Sequence, residues 1–320
     1  MAPTTSSKTT EHARSLQAPL IIWRIVDGKP GHDGQSRGLV SALAHITHTV
    51  CLDIPAGALK HGLVHFLLGE YPPGLGLNKP DLIIGAGHGT HLSALCAKRA
   101  YGGYSAILMK PSLPVSLFDC CLIPDHDSPP ARDNVIITQG MINTITPSTQ
   151  HDPARGLILI GGPSRHYDWD ETTIQEQVEA IINRSSGINW LITDSRRTPA
   201  STSSVLKSIK KNNCVYHPCK TTGPGWVAGQ LATAGNVWVS ADSMSMIYES
   251  LTAGAPTGVL SVPERRRDRI TEKTGQLILE NRVTSFQRWQ QQEVLHASEH
   301  SLNEAERCAR SLLIRIGNQA

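Results

Sequence analysis

The sequence predicts two doubly wound α/β domains that face each other across a cleft. Short apolar runs alternate with longer segments of helical periodicity, and continuous runs of this kind are typical of parallel strands covered on both faces. The alternation stops once, in the polar, proline-containing stretch 144–155, and then begins again. Two successive strand–helix runs indicate two domains, which a length of 320 residues also favours.

The first run predicts a domain over residues 20–148. Its first strand is Leu20–Val26, a Gly-rich turn follows, and a helix is predicted from the spacing of Leu39, Val40, Leu43 and Ile46. Further buried strands are predicted at 81–84, 106–109, 121–123 and 135–138, with a helix at 90–101.

The second run predicts a domain over residues 155–290. Its strands are predicted at 157–160, 190–193, 237–240 and 257–262, and its helices at 171–183, at 243–253 and from Thr198-Pro199, with the proline in the first helical position. The region 291–320 contains an amphipathic segment, which is predicted to form a C-terminal helix that packs back on the body.

Composition and charge argue against several classes of protein. A formal net charge of +3 is too weak to indicate a nucleic-acid partner, and no apolar run approaches the roughly 20 residues that cross a bilayer. Residues 1–19 are Ser/Thr-rich without an apolar middle, so a disordered tail is expected rather than a secretory signal, with a transit peptide as the alternative. The seven cysteines lack zinc-site spacing and mostly have apolar neighbours, which favours buried thiols in a reducing, cytoplasmic compartment.

Ligands of open α/β sheets bind beyond the carboxyl ends of the strands, and four turns at such positions carry candidate site residues. The first contains Gly28 and Gly31, which allow a close approach of the backbone, together with Lys29 and His32. A cation and an imidazole beside a helix N-terminus suit an anion or a proton transfer. A plain tight turn is the alternative interpretation.

The second turn is Gly85–His91, where His88 is predicted to lie in the cleft and His91 on the helix surface. The third turn opens the second domain with Gly161, Gly162, Ser164 and Arg165. Its companion turn carries Arg196 and Arg197. Adjacent arginines beside a helix start suit a diphosphate, although an exposed pair without a role is the alternative.

The fourth turn runs from Ser240 into a helix that Ser243 is predicted to cap, with Met244 next. Glu249 lies nearly two helical turns further on, where a carboxylate can accept hydrogen bonds from two ribose hydroxyls. The arginine-rich run 265–269 is most simply a solvated face, and a phosphate or an anionic lipid surface is the alternative ligand.

Four motifs in this order resemble the "elongated mitochondria" family of mitochondrial fission proteins, which includes plant fission factors and bacterial members described as glycosyltransferases or sugar-nucleotide epimerases. The motifs are Asp-Gly-Lys-Pro-Gly-His at 27–32, Gly-Gly-Pro-Ser-Arg-His-Tyr at 161–167, Asp-Ser-Arg-Arg-Thr-Pro at 194–199 and Ser-Ala-Asp-Ser-Met-Ser-Met at 240–246. The resemblance covers the chain from about Leu20 to Val262.

The chain is similar more widely to the GT-B glycosyltransferases, in particular the N-acetylglucosaminyltransferase of peptidoglycan synthesis. Matching positions are held by Gly31-His32, by the turn 161–164 apart from an inserted Pro163, by Ser240 and Glu249, and by the Ala-Gly-Ala-Pro run 253–256. Lys29-Pro30 departs from that enzyme, which has small residues there. The resemblance implies a GT-B fold in which the first domain faces the acceptor and the second holds the nucleotide sugar.

The implied activity is a metal-independent glycosyl transfer that uses a nucleoside-diphosphate sugar, no cofactor, and a lipid-linked or envelope glycan acceptor, with peripheral contact to a membrane. His32, or else His88, would be the catalytic base. The residues assigned to nucleotide-sugar binding are Gly28, Lys29, Gly31, Gly161, Gly162, Ser164, Arg165, Arg196, Arg197, Ser240, Ser243, Met244 and Glu249. The alternatives are a sugar-nucleotide 2-epimerase and a non-catalytic adaptor for organelle fission.

Overall fold

The computed structural model describes residues 18–298 and 302–317. Its first half contains a six-stranded parallel sheet in the order β2-β1-β3-β4-β5-β6. The elements are β1 (Leu20–Val26), α1 (Pro30–Ile46), β2 (Thr49–Pro55), α2 (Gly62–Leu68), β3 (Leu82–Ala86), α3 (His91–Tyr101), β4 (Tyr104–Leu108), β5 (Cys120–Pro124) and β6 (Val135–Thr138).

The second half contains another six-stranded parallel sheet, in the order β12-β11-β10-β7-β8-β9. This is the strand order of the doubly wound dinucleotide-binding fold, and the predicted α/β class is confirmed. The elements are β7 (Asp152–Leu159), α4 (Glu171–Arg184), β8 (Asn189–Thr193), α5 (Ala200–Ser208), β9 (Cys214–His217), α6 (Trp226–Leu231), β10 (Ala234–Ser240), α7 (Met244–Ala253), β11 (Thr257–Leu260), α8 (Arg269–Leu279), β12 (Thr284–Ser285), α9 (Phe286–Gln292) and α10 (Glu304–Gly317).

How deeply each strand is buried explains which strands could be predicted from apolar runs in the sequence. Every residue of β3, β4 and β5 is buried, so these strands read as continuous apolar runs. The sequence did not predict β2 and β9, which lie at the sheet edges and are largely exposed or half-buried. The predicted strand 257–262 ends at residue 260.

One predicted helix start is wrong by one residue. Pro199 was expected at the first helical position, but α5 begins at Ala200 and Pro199 is its N-cap, with an extended ψ of 144°. In α1, by contrast, Pro30 is the first helical residue, where the missing N–H of proline leaves no intrahelical bond unmade.

The predicted C-terminal amphipathic helix is present as α10, and it packs against the first domain. Cys308, Ala309 and Leu312 are fully buried in the same apolar cluster as Leu39 and Leu43 of α1. The last helix in the sequence therefore completes the core of the first domain.

The carboxyl edges of the two sheets face each other. The turn after β5 carries Asp125 and Asp127, and α8 follows β11 of the second sheet. Lys273 of α8 lies 2.8 Å from Asp125, and Arg269 pairs with Asp127. Because both turns leave the carboxyl ends of parallel strands, these ion pairs bring the two edges together across a cleft.

The connection between the sheets runs along α7. A Cβ on Gly140 would lie 2.2 Å from the ring of Tyr248, and Asn143 donates to Thr252 at 3.0 Å. Glycine is therefore required where the connection crosses the second domain.

Across the two described ranges, we find no helix whose length and apolarity would allow it to cross a membrane.

We expect Leu312→Ala to lower the free energy of unfolding by about 2–5 kcal/mol, since it opens a cavity between α10 and α1. Ile314→Ala, in the same helix but at a side chain that is 64% exposed, is the matched control and should cost less than about 0.5 kcal/mol. Urea denaturation of both variants gives the comparison. Equal losses would contradict the packing of α10 described above.

Candidate functional site

The turn between β1 and α1 forms a hydrogen-bonded pair of side chains. The Asp27 carboxylate accepts hydrogen bonds from the backbone N–H of Lys29 at 3.2 Å and from His32 Nδ1 at 2.9 Å. Gly28 has a φ of +75°, a conformation that suits glycine. The turn thus places His32 in the first helical turn of α1, directly above Asp27.

The turn after β3 makes room for this pair. A Cβ on Gly87, whose φ is +77°, would lie 2.2 Å from the His32 ring, and a Cβ on Gly89 would lie 3.2 Å from the Asp27 carboxylate. Both glycines let the backbone pass close to the pair. The first two predicted turns therefore build one structure, which we call the Asp27–His32 dyad.

The dyad keeps Asp27 ionised. Burial opposes ionisation, but the hydrogen bonds from His32 and from the Lys29 backbone outweigh it and lower the pKa of Asp27. The Lys29 ammonium, 3.7 Å away, adds to the effect. An ionised Asp27 accepts the Nδ1 proton of His32, which leaves the Nε2 lone pair free to take a proton.

Of the two other histidines in this region, the structure places His91 differently from the sequence prediction. His88 is exposed on the Gly87–Gly89 turn. His91 was expected on the helix surface, and that prediction is wrong. Its ring is buried, stacks near Phe118 and lies 3.4 Å from Ser112, because the first turn of α3 faces the core. Burial and the neighbouring His88 lower the pKa of His91.

In the second domain, a buried carboxylate joins the ends of three strands. Asp242, after β10, accepts from the Gly162 N–H at 3.0 Å and from the Ser240 hydroxyl at 2.7 Å. Arg197, after β8, contacts the same carboxylate at 2.8 Å. The Ser240 oxygen also accepts from the Gly161 N–H at 2.7 Å. We call these five residues the Asp242 node.

Three residues of the node that were assigned to ligand binding from the sequence make contacts within the protein. Ser240 is completely buried, and its hydroxyl is hydrogen-bonded inside the protein, so it orders the turn. Arg197 Nη1 donates to the carbonyls of Gly162 and Pro163, so its guanidinium braces the turn. A Cβ on Gly162 would lie 2.3 Å from the Arg197 carbonyl oxygen, which requires glycine there.

Arg196 and Arg165 present their charges to solvent. Both side chains are exposed. Arg196 makes no hydrogen bond or ion pair within residues 18–298 and 302–317. Arg165 Nε donates to His166 Nε2 at 2.9 Å, while His166 Nδ1 lies 2.6 Å from Asp268. Of these two exposed guanidiniums, that of Arg196 has no carboxylate partner within the described residues, and that of Arg165 is linked to Asp268 through the His166 imidazole.

Asp268 fixes this chain of contacts to α8. Its carboxylate caps the helix by accepting from the N–H groups of Ile270 and Thr271. Although burial opposes it, the His166 hydrogen bond lowers the pKa of Asp268. Ser164 orders the same loop, since its hydroxyl accepts from the N–H groups of His166 and Tyr167.

The start of α7 offers backbone groups more than side chains. Ser243 is the N-cap, as predicted, but its hydroxyl makes no capping bond. Met244 was assigned to the ligand site, yet its side chain is buried in the core, so only its backbone N–H remains for a ligand. Unpaired N–H groups at a helix N-terminus attract anions.

Glu249 lies on α7, four residues after Ser245. Its carboxylate accepts from the Ser245 hydroxyl at 3.2 Å, and burial raises its pKa. No cation pairs with this carboxylate within the described residues. Such a group is available to accept hydrogen bonds from a ligand.

The arginine-rich run is neutralised by neighbouring carboxylates. Its four arginines pair in order with Asp168, Asp268, Glu272 and Asp127. Paired charges of this kind favour the interpretation as a solvated, structural face over a site for free phosphate or lipid.

Asp27 and Asp242 are the residues that the sequence analysis did not select. Both lie inside the recognised motifs, within two residues of the end of a strand. An aspartate next to a turn glycine or serine is common in capping and turn motifs, and the sequence does not show which strand ends will meet.

Comparisons with known proteins agree with this architecture. A model of the mitochondrial fission ELM1 family matches residues 30–316. The chain is 26% identical over 303 residues to the uncharacterised protein RP120 of Rickettsia prowazekii, an alignment covering 76% of this chain and 83% of that protein.

Two solved structures share the fold over nearly the whole length. One is a protein assigned as a UDP-N-acetylglucosamine 2-epimerase from Listeria monocytogenes, with a TM-score of 0.62, 10% identity, and coverage of 94% of this chain and 97% of that one. The other is the UDP-GlcNAc 2-epimerase of Neisseria meningitidis bound to UDP-GlcNAc, with a TM-score of 0.54, 11% identity, and coverage of 92% and 100%. The fold is the GT-B arrangement of two facing Rossmann-like domains.

We expect Asp242→Asn to lower the free energy of unfolding by about 2–4 kcal/mol, because it leaves a buried turn and Arg197 without their charged acceptor. Asp168→Asn breaks an ion pair between exposed side chains and should cost about 0–1 kcal/mol. Denaturant unfolding at neutral pH measures both. A loss at position 242 no larger than the loss at 168 would refute the node.

Proposed function

This chain belongs to the mitochondrial fission ELM1 family, and we propose that it is a glycosyltransferase that uses a nucleoside-diphosphate sugar without a metal ion. The first domain supplies the base and binds the acceptor. The second domain holds the nucleotide sugar. The observation that carries the proposal is the Asp27–His32 dyad at the carboxyl edge of the first sheet.

The dyad has the chemistry of a general base. Asp27 accepts the Nδ1 proton, so Nε2 of His32 can remove the proton of an acceptor hydroxyl as that oxygen attacks the sugar. The Asp27 carboxylate, 2.9 Å from the ring, then stabilises the imidazolium that forms. Lys29 is exposed at the helix start and adds positive charge beside the reacting groups.

The leaving diphosphate requires positive groups on the second domain. The N–H groups at the start of α7, the turn that the Asp242 node holds, and the guanidiniums of Arg165 and Arg196 supply them. Pre-ordered donors stabilise charge that develops in the transition state and need little reorganisation. We therefore assign the neutralisation of the diphosphate to protein groups rather than to a metal.

The ribose is assigned to Glu249. Its carboxylate has one weak intramolecular partner, the Ser245 hydroxyl, and therefore retains free lone pairs for two vicinal hydroxyls. Since burial raises its pKa, binding a pair of hydroxyl donors stabilises the ionised form.

The second candidate is a sugar-nucleotide 2-epimerase, which the fold shared with the Listeria and Neisseria proteins favours. An epimerase acts on the sugar nucleotide alone, whereas a transferase needs an acceptor. Incubation of the protein with a panel of sugar nucleotides, with and without a cell-extract acceptor pool and with EDTA present throughout, separates the two. Donor binding without turnover in every condition would indicate a non-catalytic adaptor.

We expect His32→Gln to lower turnover by roughly 10²–10⁴-fold with little change in donor affinity, because the base is lost while the nucleotide site is intact. His88→Gln replaces an exposed imidazole on the adjacent turn and is the matched control, with turnover close to that of the wild type. Steady-state kinetics and donor titration measure both effects.

Two outcomes would contradict this assignment. A loss of turnover in His88→Gln alone moves the base to His88. A weaker donor affinity with unchanged turnover in His32→Gln makes His32 a ligand contact.

We expect Glu249→Ala to weaken nucleoside-diphosphate binding by about 1–3 kcal/mol, since the ribose loses a charged acceptor. Ser245→Ala removes only the intramolecular partner and should change affinity by less than about 0.5 kcal/mol. Because burial raises the pKa of Glu249, affinity of the wild type should fall as the pH is lowered through that pKa and the carboxylate is protonated, and Glu249→Ala should abolish this dependence. Calorimetry that shows equal affinity for Glu249→Ala and the wild type, with the fold intact, would remove Glu249 from the site.

A further inference from the structure

Helix α2 presents large apolar side chains to solvent. Leu63, Val64, Leu67 and Leu68 are between 53% and 69% exposed. Residues three or four apart lie on one side of a helix, so these four side chains form one continuous stripe, which we call the α2 stripe. Exposed apolar side chains that are clustered in this way mark an interaction surface.

The helix beneath the stripe is firmly held. Phe66, on the opposite side, packs against the apolar core of the first domain, and so does Leu59 just before the helix. Gly62 fits closely against Leu92 of α3, where a Cβ would lie 2.7 Å from that side chain. The stripe is therefore a fixed feature of the surface.

Positive charge borders the stripe. Lys60 is exposed just before the helix, and Arg99 is exposed at its other end, where a Cβ on Gly69 would lie 3.6 Å from Arg99 Nε. The carboxylate of Glu70, which also lies here, is 3.3 Å from His65. The border thus has two exposed cations, Lys60 and Arg99, and one carboxylate, Glu70, which contacts a histidine.

We propose that the α2 stripe docks on an anionic phospholipid bilayer. The four side chains enter the boundary between head groups and acyl chains, while Lys60 and Arg99 bind lipid phosphates. An apolar face with a cationic border is complementary to such a surface in both polarity and charge. The contact lies at the membrane interface, and this docking does not depend on which reaction the cleft performs.

The segments outside the described ranges offer little to cover the stripe instead. Residues 1–17 contain two large apolar side chains, Met1 and Leu16, among mostly polar residues. Residues 299–301 and 318–320 contain no large apolar side chain. A bilayer supplies the missing apolar environment.

The position of the stripe relates it to the cleft. Leu92, which contacts the start of α2, follows His88 by four residues and is itself partly exposed. The stripe therefore lies beside the turn that accommodates the Asp27–His32 dyad, and docking would bring the mouth of the cleft close to the membrane.

Co-sedimentation of the full chain with vesicles tests the proposal without any assay of activity. We expect binding to vesicles of phosphatidylcholine with phosphatidylglycerol, and weaker binding to phosphatidylcholine alone. The double variant Leu67→Gln/Leu68→Gln should bind the anionic vesicles at least about tenfold more weakly, since each buried leucine contributes a factor of that order. Leu279→Gln, at a leucine of the second domain that is 83% exposed, is the matched control and should bind as the wild type does.

Lys60→Gln/Arg99→Gln should reduce binding to the anionic vesicles and lessen its dependence on salt. Unchanged unfolding midpoints would show that these surface variants are folded. Three results would overturn the proposal: no sedimentation of the wild type with anionic vesicles, sedimentation of Leu67→Gln/Leu68→Gln equal to that of the wild type, or a wild-type dimer that this double variant converts to a monomer.

Discussion

The buried carboxylate of Asp242 is the interaction on which the second domain's ligand edge depends. It joins the turn after β7, the arginine after β8 and the serine at the end of β10 through bonds of 2.7–3.0 Å. A buried charge is tolerated only when it is fully hydrogen-bonded, so its partners cannot move independently. The turn that opens the second domain is therefore already ordered before a ligand arrives.

The first domain uses the same device at its own edge. Asp27 is held by a backbone N–H and by His32, and glycines 87 and 89 admit the pair without steric conflict. In each domain an aspartate within two residues of the end of an interior strand converts a flexible glycine turn into a fixed one. Because the pairs of Lys273 with Asp125 and Arg269 with Asp127 hold the two edges face to face, the two rigid turns lie on edges that face each other.

The sequence was sufficient to predict the fold class, because buried parallel strands produce continuous apolar runs, while the edge strands β2 and β9 were missed because they do not. For the site, the sequence predicted which turns carry the candidate residues, but not the role of every side chain in them. The roles of Arg197, Ser240 and Met244 could not be predicted, since each depends on whether the side chain turns inward at the strand end. His91 shows the same limit, because its position one residue after the turn suits either face of α3.

The packing of α10 against α1 has a consequence for biosynthesis. The strands of the first sheet are complete by residue 138, but the helix that covers Leu39 and Leu43 begins at residue 304. At roughly 5–20 residues per second, translation of the intervening segment takes on the order of ten seconds or more. During that interval the nascent first domain exposes an apolar surface while the second domain, whose strands emerge later, can already close its own sheet. The domain that is synthesised first is thus the one whose core is completed last.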